Sequence, residues 1–429
     1  MFMRRLRIFE PHRTFRRFSA DRSGAMAITI GLMMTSLAGL VGLSVDIGDW
    51  YATRRAMQSA VDAAALGGAL QIFEGNTSAQ ATAAANTDGS LNKTGLVSGA
   101  TLTVAVDMAN QVVTATMTKT ADLLLAGLFL GSAPTITVSA KAGMVNGGTP
   151  ACLLTTSTTG TGLALTGNGS ISASGCGIVV DSTSSSAITT TGNATVTSKA
   201  LCGPGGYTGT GYNPAPSSCI AMTDPLYNWP APSTVNDPCG YNNTSVGGNG
   251  ATTLSPGVYC GGISVGANAT ANFQPGIYIL RNGALTGTGN AVINGTGVSF
   301  YMTGTGTAVQ LENDDISITG NVTVNVTAPT SGTMAGIAIY QDHSAPTGDI
   351  SNKLAGNGTI NFTGVLYFGN QNLTISGNGT QDGQAAFTAF IANTLTYTGN
   401  GSLVLNANYS NTSVPLPAGL AFPVVALIQ

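Results

Sequence analysis

From residue 149 onward a glycine-asparagine pair returns too regularly for an ordinary globular core. It stands at Gly167-Asn168, Gly192-Asn193, Gly248-Asn249, Gly289-Asn290, Gly320-Asn321, Gly356-Asn357, Gly377-Asn378 and Gly399-Asn400, with Asn268 in a degenerate copy. The steps 168 to 193, 357 to 378 and 378 to 400 give a unit of a little over twenty residues. A period of that size in a strand-rich, helix-poor chain means a solenoid. Glycine and asparagine both accept the left-handed backbone that a corner between short strands requires, and an asparagine can bond its copy on the next turn. The flanks alternate accordingly: in Leu373-Thr374-Ile375-Ser376 and Leu395-Thr396-Tyr397-Thr398 the aliphatics face inward and the hydroxyls outward. Residues 149–429 therefore read as a right-handed parallel β-helix, which makes the chain mainly β.

The repeat breaks between Asn193 and Gly248, where seven prolines stand among Cys202, Cys219 and Cys239. So many prolines cannot occupy central ladders. The stretch at about 200–245 reads as a disulfide-tied insertion lying over the solenoid, either a stapled loop or a binding face. All six cysteines (Cys152, Cys176, Cys202, Cys219, Cys239, Cys260) fall between residues 152 and 260. An even count in an exported region reads as three disulfides, and the 15 connectivities stay open. Zinc is disfavoured, since no pair has the C-x₂-C spacing.

The N-terminal part is of another kind. Ala25 to Val45 carries no charge, and about 20 such residues cross a bilayer. Arg4, Arg5, Arg7, Arg13, Arg16, Arg17 and Arg22 precede it, so the N-terminus stays on the cytoplasmic side and everything from Asp46 lies outside. A cleaved signal peptide would have a shorter apolar core and an A-x-A-like exit. The first 55 residues hold nine Arg against four acids and the remainder six Lys/Arg against fourteen acids. This split follows topology, and the exported part has no electrostatic footprint for nucleic acid.

The entry Arg22-Ser23-Gly24-Ala25-Met26-Ala27-Ile28, the span, and the ordered set Asp46, Gly48, Tyr51, Arg54, Arg55, Gln58, Asp62, Ala63, Ala64, Ala65 and Leu66 resemble the N-terminal segment of TadG-like proteins of the Flp (Tad) pilus-assembly system. No glutamate stands fifth after Gly24, where pilin-like substrates of that system carry one, so processing as a pilin is disfavoured. Ala56, Ala60, Ala63, Ala64 and Gly67 form a small-residue stripe for close helix packing.

Between anchor and repeat, residues 76–148 read as a small α+β membrane-proximal module. Alternation over Leu102 to Val106 and Val112 to Thr118 predicts a hairpin. Asp122 would cap a helix with Leu123, Leu124, Leu125, Leu128 and Phe129 on its apolar face, and Pro134 to Ala140 returns as a strand.

Two constellations invite chemistry. Asp314-Asp315 with Asp342, His343, Arg281 and Lys353 is similar to the acid pairs of β-helix polysaccharide hydrolases, but adjacent strand residues point to opposite faces and solvated turn charges are the plainer reading. Asp181-Ser182-Thr183-Ser184-Ser185 resembles the metal site of von Willebrand A domains, yet repeats flank it on both sides and a Ser/Thr-rich turn suits it better. No catalytic, cofactor or metal residue is therefore assigned.

The domains expected are a basic cytoplasmic tail (1–24), a transmembrane helix with its extension (25–75), the α+β module (76–148) and the β-helix (149–429). The resemblance implies a non-enzymatic, single-pass bacterial inner-membrane protein of pilus assembly with its bulk in the periplasm or beyond. Its partners would be the bilayer and other assembly proteins. The alternatives are an exported surface- or carbohydrate-binding adhesin contacting surface glycan, and a polysaccharide-cleaving β-helix enzyme.

Overall fold

A computed structural model describes residues 23–428 apart from 94, 129, 305–314, 344–350, 379, 382–384, 409–410 and 418. Residues 1–22 of the basic tail and Asp314 lie outside the described residues, as does Phe129. The chain divides into two compact units, one formed by residues 1–69, 78–143 and 427–429 and the other by residues 70–77 and 144–426.

The proline-free, alanine-rich run from Ser23 forms one helix of 51 residues, α1 (Ser23–Phe73), of which the residues up to Ala69 belong to the first unit. It is the only helix among the described residues long and apolar enough to cross a membrane. α1 ends at Gly75, whose φ of 80° lets Asn76 N–H donate to Gln71 O (2.9 Å) and Gly75 N–H to Ile72 O (2.9 Å), the paired bonds of a Schellman stop. A second helix, α2 (Ser78–Leu91), follows. Strands β1 (Thr101–Asp107), β2 (Val112–Thr120) and the start of β3 (Thr135–Thr155) make an antiparallel meander in which Val104 faces Ala115 and Ala115 faces Ala140. Every second residue of β2, namely Val113, Ala115 and Met117, is buried. The small-residue stripe of α1 closes this core. A Cβ on Gly68 would lie 3.0 Å from Val113 and 3.1 Å from Ala85, and one on Gly89 of α2 would lie 3.1 Å from Ala64.

The second unit consists of three parallel ladders linked by glycine corners. The first contains residues 257–260, 276–281, 298–303, 337–341, 365–368 and 388–392. The second contains 244–246, 263–265, 285–287, 316–318, 351–355, 372–377 and 394–399. The third contains 251–254, 270–273, 292–296, 323–327 and 360–363. The inward residues stack in columns: Ile263, Leu285, Ile316, Asn352, Leu373 and Leu395 occupy one register position. Asn352 is tolerated there because its Oδ1 accepts from Ile316 N–H (3.0 Å) and its Nδ2 donates to Gln341 Oε1 (2.9 Å).

The stacking does not follow chain order. The last strands of each ladder pair with the first strands of the unit: Phe390 with Leu153, Leu395 with Leu163 and Leu403 with Ile171. From there the ladders continue through 177–180, 188–192 and 195–198 to Tyr207–Thr208, Tyr212–Asn213 and Ser217–Ser218. The stack thus starts at Tyr241, runs to Val404, and resumes at Ala151. Residues 219–240 carry the chain back along its length.

The asparagine ladder runs across that junction. Asn290 donates to Asn268 (3.0 Å), Asn321 to Asn290 (3.2 Å), Asn378 to Asn357 (3.3 Å), Asn400 to Asn378 (2.9 Å), Asn168 to Asn400 (2.8 Å) and Asn193 to Asn168 (3.0 Å). Except at Asn268, which follows Ala267, the residue before each is a glycine that is required sterically. Gly399 has φ 126°, and a Cβ there would meet Gly377 O at 2.3 Å.

Candidate functional site

Two places concentrate chemistry, one in each unit. In the first unit, the opening turns of α1 expose Met26, Ile28, Ile30, Leu32, Met33, Met34, Leu37, Leu40 and Val41 on all sides, each 51% to 68% accessible. An all-round apolar helix needs an apolar solvent. Just past it Asp46 is fully buried. Its carboxylate accepts from the N–H groups of Leu124 (3.2 Å), Leu125 (2.9 Å) and Ala126, while Trp50 Nε1 donates to Asp122 O (2.9 Å).

This arrangement replaces the helix expected after Asp122. The chain there makes only a short 3₁₀ turn, Ala126–Leu128, and its N–H groups are capped by Asp46 from α1. Asp122 pairs with Lys119 at 3.0 Å instead. Gln58 donates to Asp62 (2.8 Å) and to Ser139 O (3.3 Å), tying α1 to β3. Ala64 and Ala65 are buried, Ala63 and Leu66 half-buried, and Gly48, Tyr51, Arg54 and Arg55 exposed.

Residues 24–71 match the family model described as "Putative Flp pilus-assembly TadE/G-like". No curated protein and no solved structure matches the chain. The TadE/G-like segment thus coincides with α1 from the start of the apolar run almost to its Schellman stop. Its buried motif residues build the helix-to-module contact, and its exposed ones lie along the helix just beyond the apolar turns.

In the second unit the notable feature is the return strap. Two disulfides bracket it, Cys202–Cys219 where it leaves the ladders and Cys239–Cys260 where it rejoins them; the third, Cys152–Cys176, joins neighbouring turns. Beneath it Tyr301, Tyr340 and Tyr367 stack at 5.4 and 4.5 Å between ring centres. Tyr340 donates to Leu226 O (2.9 Å), Tyr367 to Asp224 Oδ2 (2.9 Å), and Trp229 of the strap to Thr333 O (2.9 Å). Burial raises the phenol pKa of Tyr340 and Tyr367, so both remain donors. Asp181 accepts from Met222 N–H (2.8 Å), and burial, against that bond and with help from nearby Asp224, pushes its pKa up to about 6. Burial also raises the pKa of Asp224, opposed by Leu226 N–H and Tyr367 OH.

The residues weighed for chemistry have structural partners here. Within the von Willebrand-like run Ser182 donates to Gly160 O (2.5 Å), and Ser184 and Ser186 hydroxyls share a bond of 3.3 Å. Arg281 donates to Val235 O in the strap. Asp342 accepts from Tyr301 (3.2 Å) and Thr303 (3.0 Å), and the His343 ring packs at a tilt against Tyr227, 4.7 Å between ring centres. Lys353 stands in register between Ser317 and Thr374. Asp315 is half-buried, its carboxyl pKa raised by desolvation. Among the described residues no three His, Cys, Asp or Glu are placed to hold a metal ion. Sequence reasoning missed Asp224 and the tyrosine column. The recurrence of Tyr301, Tyr340 and Tyr367, each inside an apolar strand, was the available signal.

Proposed function

We propose that the chain is a non-enzymatic, single-pass inner-membrane component of Flp-type pilus assembly, with α1 spanning the bilayer over residues 25–45. The second unit is then a parallel β-helix displayed on the non-cytoplasmic side. The family match over residues 24–71 carries this reading. The seven arginines ahead of the span support the orientation, because cytoplasmic flanks hold the Lys/Arg excess. The three parallel ladders, in one-to-one register over much of their length, support the β-helix, and the three disulfides suit an oxidising compartment. The partners are other proteins of pilus assembly.

A reporter enzyme that folds only outside the cytoplasm, fused after Leu70, is expected to be active, and the solubilised full-length protein is expected to co-purify with pilus-assembly proteins. An inactive reporter, or a soluble mature chain beginning near Ala25, would refute the reading.

One observation favours a second reading, a surface- or carbohydrate-binding adhesin. The second ladder turns Ser264, Thr286, Ser317, Thr374, Thr396 and Thr189 outward in one register column, with Lys353 between Ser317 and Thr374 and Ala164 between Thr396 and Thr189. Hydroxyls repeating at the strand spacing of about 4.8 Å can both donate to and accept from a sugar chain. Retention of the protein on a glycan array would raise this reading above the first.

A further inference from the structure

The two ends of the stack differ in how they treat their unpaired backbone. At one end the final strands, Tyr207–Thr208, Tyr212–Asn213 and Ser217–Ser218, are only two residues each, and Pro214 and Pro216 stand between the last two. Residues 70–77 close over this end: Ser218 Oγ donates to Glu74 O (3.0 Å) and Ile220 N–H to Phe73 O (2.8 Å). Short strands, prolines and a covering segment are the usual ways to blunt a sheet edge.

The opposite end has longer edge strands, with the nearest prolines, Pro238 and Pro256, standing outside them. Tyr241–Val246 pairs only with 259–265 and Ala251–Leu254 only with 270–273 among the described residues. The two strands contain neither proline nor charge, and Asn242, Asn243, Ser245, Ala251, Thr252 and Thr253 are exposed. In a parallel pair, alternate residues bond inward. Gly250 O and Leu254 O accept from Thr270 and Gln274. The N–H and C=O groups of Ala251 and Thr253 are therefore directed away from the stack.

We propose that Ala251–Leu254 pairs antiparallel with the same strand of a second copy of this chain, forming a closed two-fold dimer. A dyad at Thr252 sets Ala251 of each copy opposite Thr253 of the other, and both residues exchange N–H···O bonds. The occupant is a second copy for two reasons. A two-fold contact sets each residue near its own twin, so charges on such an edge would repel, and this edge has none. A head-to-tail chain of copies would need the other end, which is blunted and covered. The inference stands independently of the pilus reading.

The test uses the full chain in detergent. The wild-type protein is expected to have twice the chain mass by light scattering. Thr252→Cys is expected to form a disulfide-linked dimer on mild oxidation, because directly opposed Cβ atoms lie about 4.5 to 5.5 Å apart. Ser217→Cys, at the blunted end, should stay uncross-linked. Thr253→Pro removes an outward N–H without touching a ladder bond, and should halve the mass while leaving the circular-dichroism spectrum intact. A monomeric wild type, a Thr252→Cys protein that fails to cross-link, or a Thr253→Pro protein that folds and keeps the doubled mass overturns the proposal.

Discussion

The junction between the last and first turns can be tested by a double-mutant cycle on Leu163 and Leu395. The two are register partners although 232 residues separate them in the chain, and both are fully buried. Each leucine-to-alanine change should cost about 2 to 5 kcal/mol through lost burial and the cavity left behind. When both are truncated the two voids merge and the second loss falls on a neighbour already gone, so the costs should fail to add by about 0.5 to 3 kcal/mol. Leu163→Ala with Leu285→Ala is the control, since Leu285 stacks between Ile263 and Ile316, turns away from the junction. Guanidinium unfolding followed by tyrosine fluorescence supplies the four free energies of each cycle. Additivity of the Leu163 and Leu395 changes within about 0.5 kcal/mol would mean that the turns stack in chain order and that the junction is wrong.

Three further outcomes are expected. Replacing Cys239 and Cys260 by serine should lower stability by about 3 kcal/mol, the chain-entropy value for a loop of about twenty residues, and should make the strap the first site of protease cleavage by mass spectrometry. Asp181 has a folded pKa raised from 3.8 to about 6, so the folded state holds the extra proton and stability falls as pH rises between those values. Asp181→Asn should remove up to about 3 kcal/mol of that slope, read from denaturant midpoints at pH 4 and pH 7, and an unchanged slope would show that other groups carry it. Ile375→Asp puts an unpaired charge in a fully buried column between Leu354 and Tyr397 and should cost several kcal/mol, whereas Asp315→Ala should stay within about 0.5 kcal/mol; protease resistance of the two variants side by side checks this.

What could be read from the sequence was whatever repeats locally. The Gly-Asn corners and the alternation around Leu373 and Leu395 depend only on φ preferences and on side chains facing alternate ways, and both are visible within one turn of chain. The apolar character of residues 25–45 is likewise a local property. The order of the turns is not, because a leucine column is equally satisfied by any neighbouring leucine column; Leu395 meets Leu163 only because the strap carries the chain back. Asp46 illustrates the same point. Nothing near it in sequence marks it as the cap of a turn about eighty residues away, and Asp122, beside that turn, was the better local candidate. The strap's prolines announced a break in the ladders, but its anchoring depends on Tyr340 and Tyr367, which a strand pattern reads simply as core.

The permuted stack also sets a timetable. A chain made from its N-terminus delivers turns 151–218 first, yet the face of the first turn that needs Phe390, Leu395 and Leu403 has no partner until the last part of the repeat has emerged. Contacts of such long sequence separation form slowly and leave early segments open to wrong pairings. The bonds Cys152–Cys176 and Cys202–Cys219 need no residue beyond 219; they can close before the rest arrives and hold the waiting turns together.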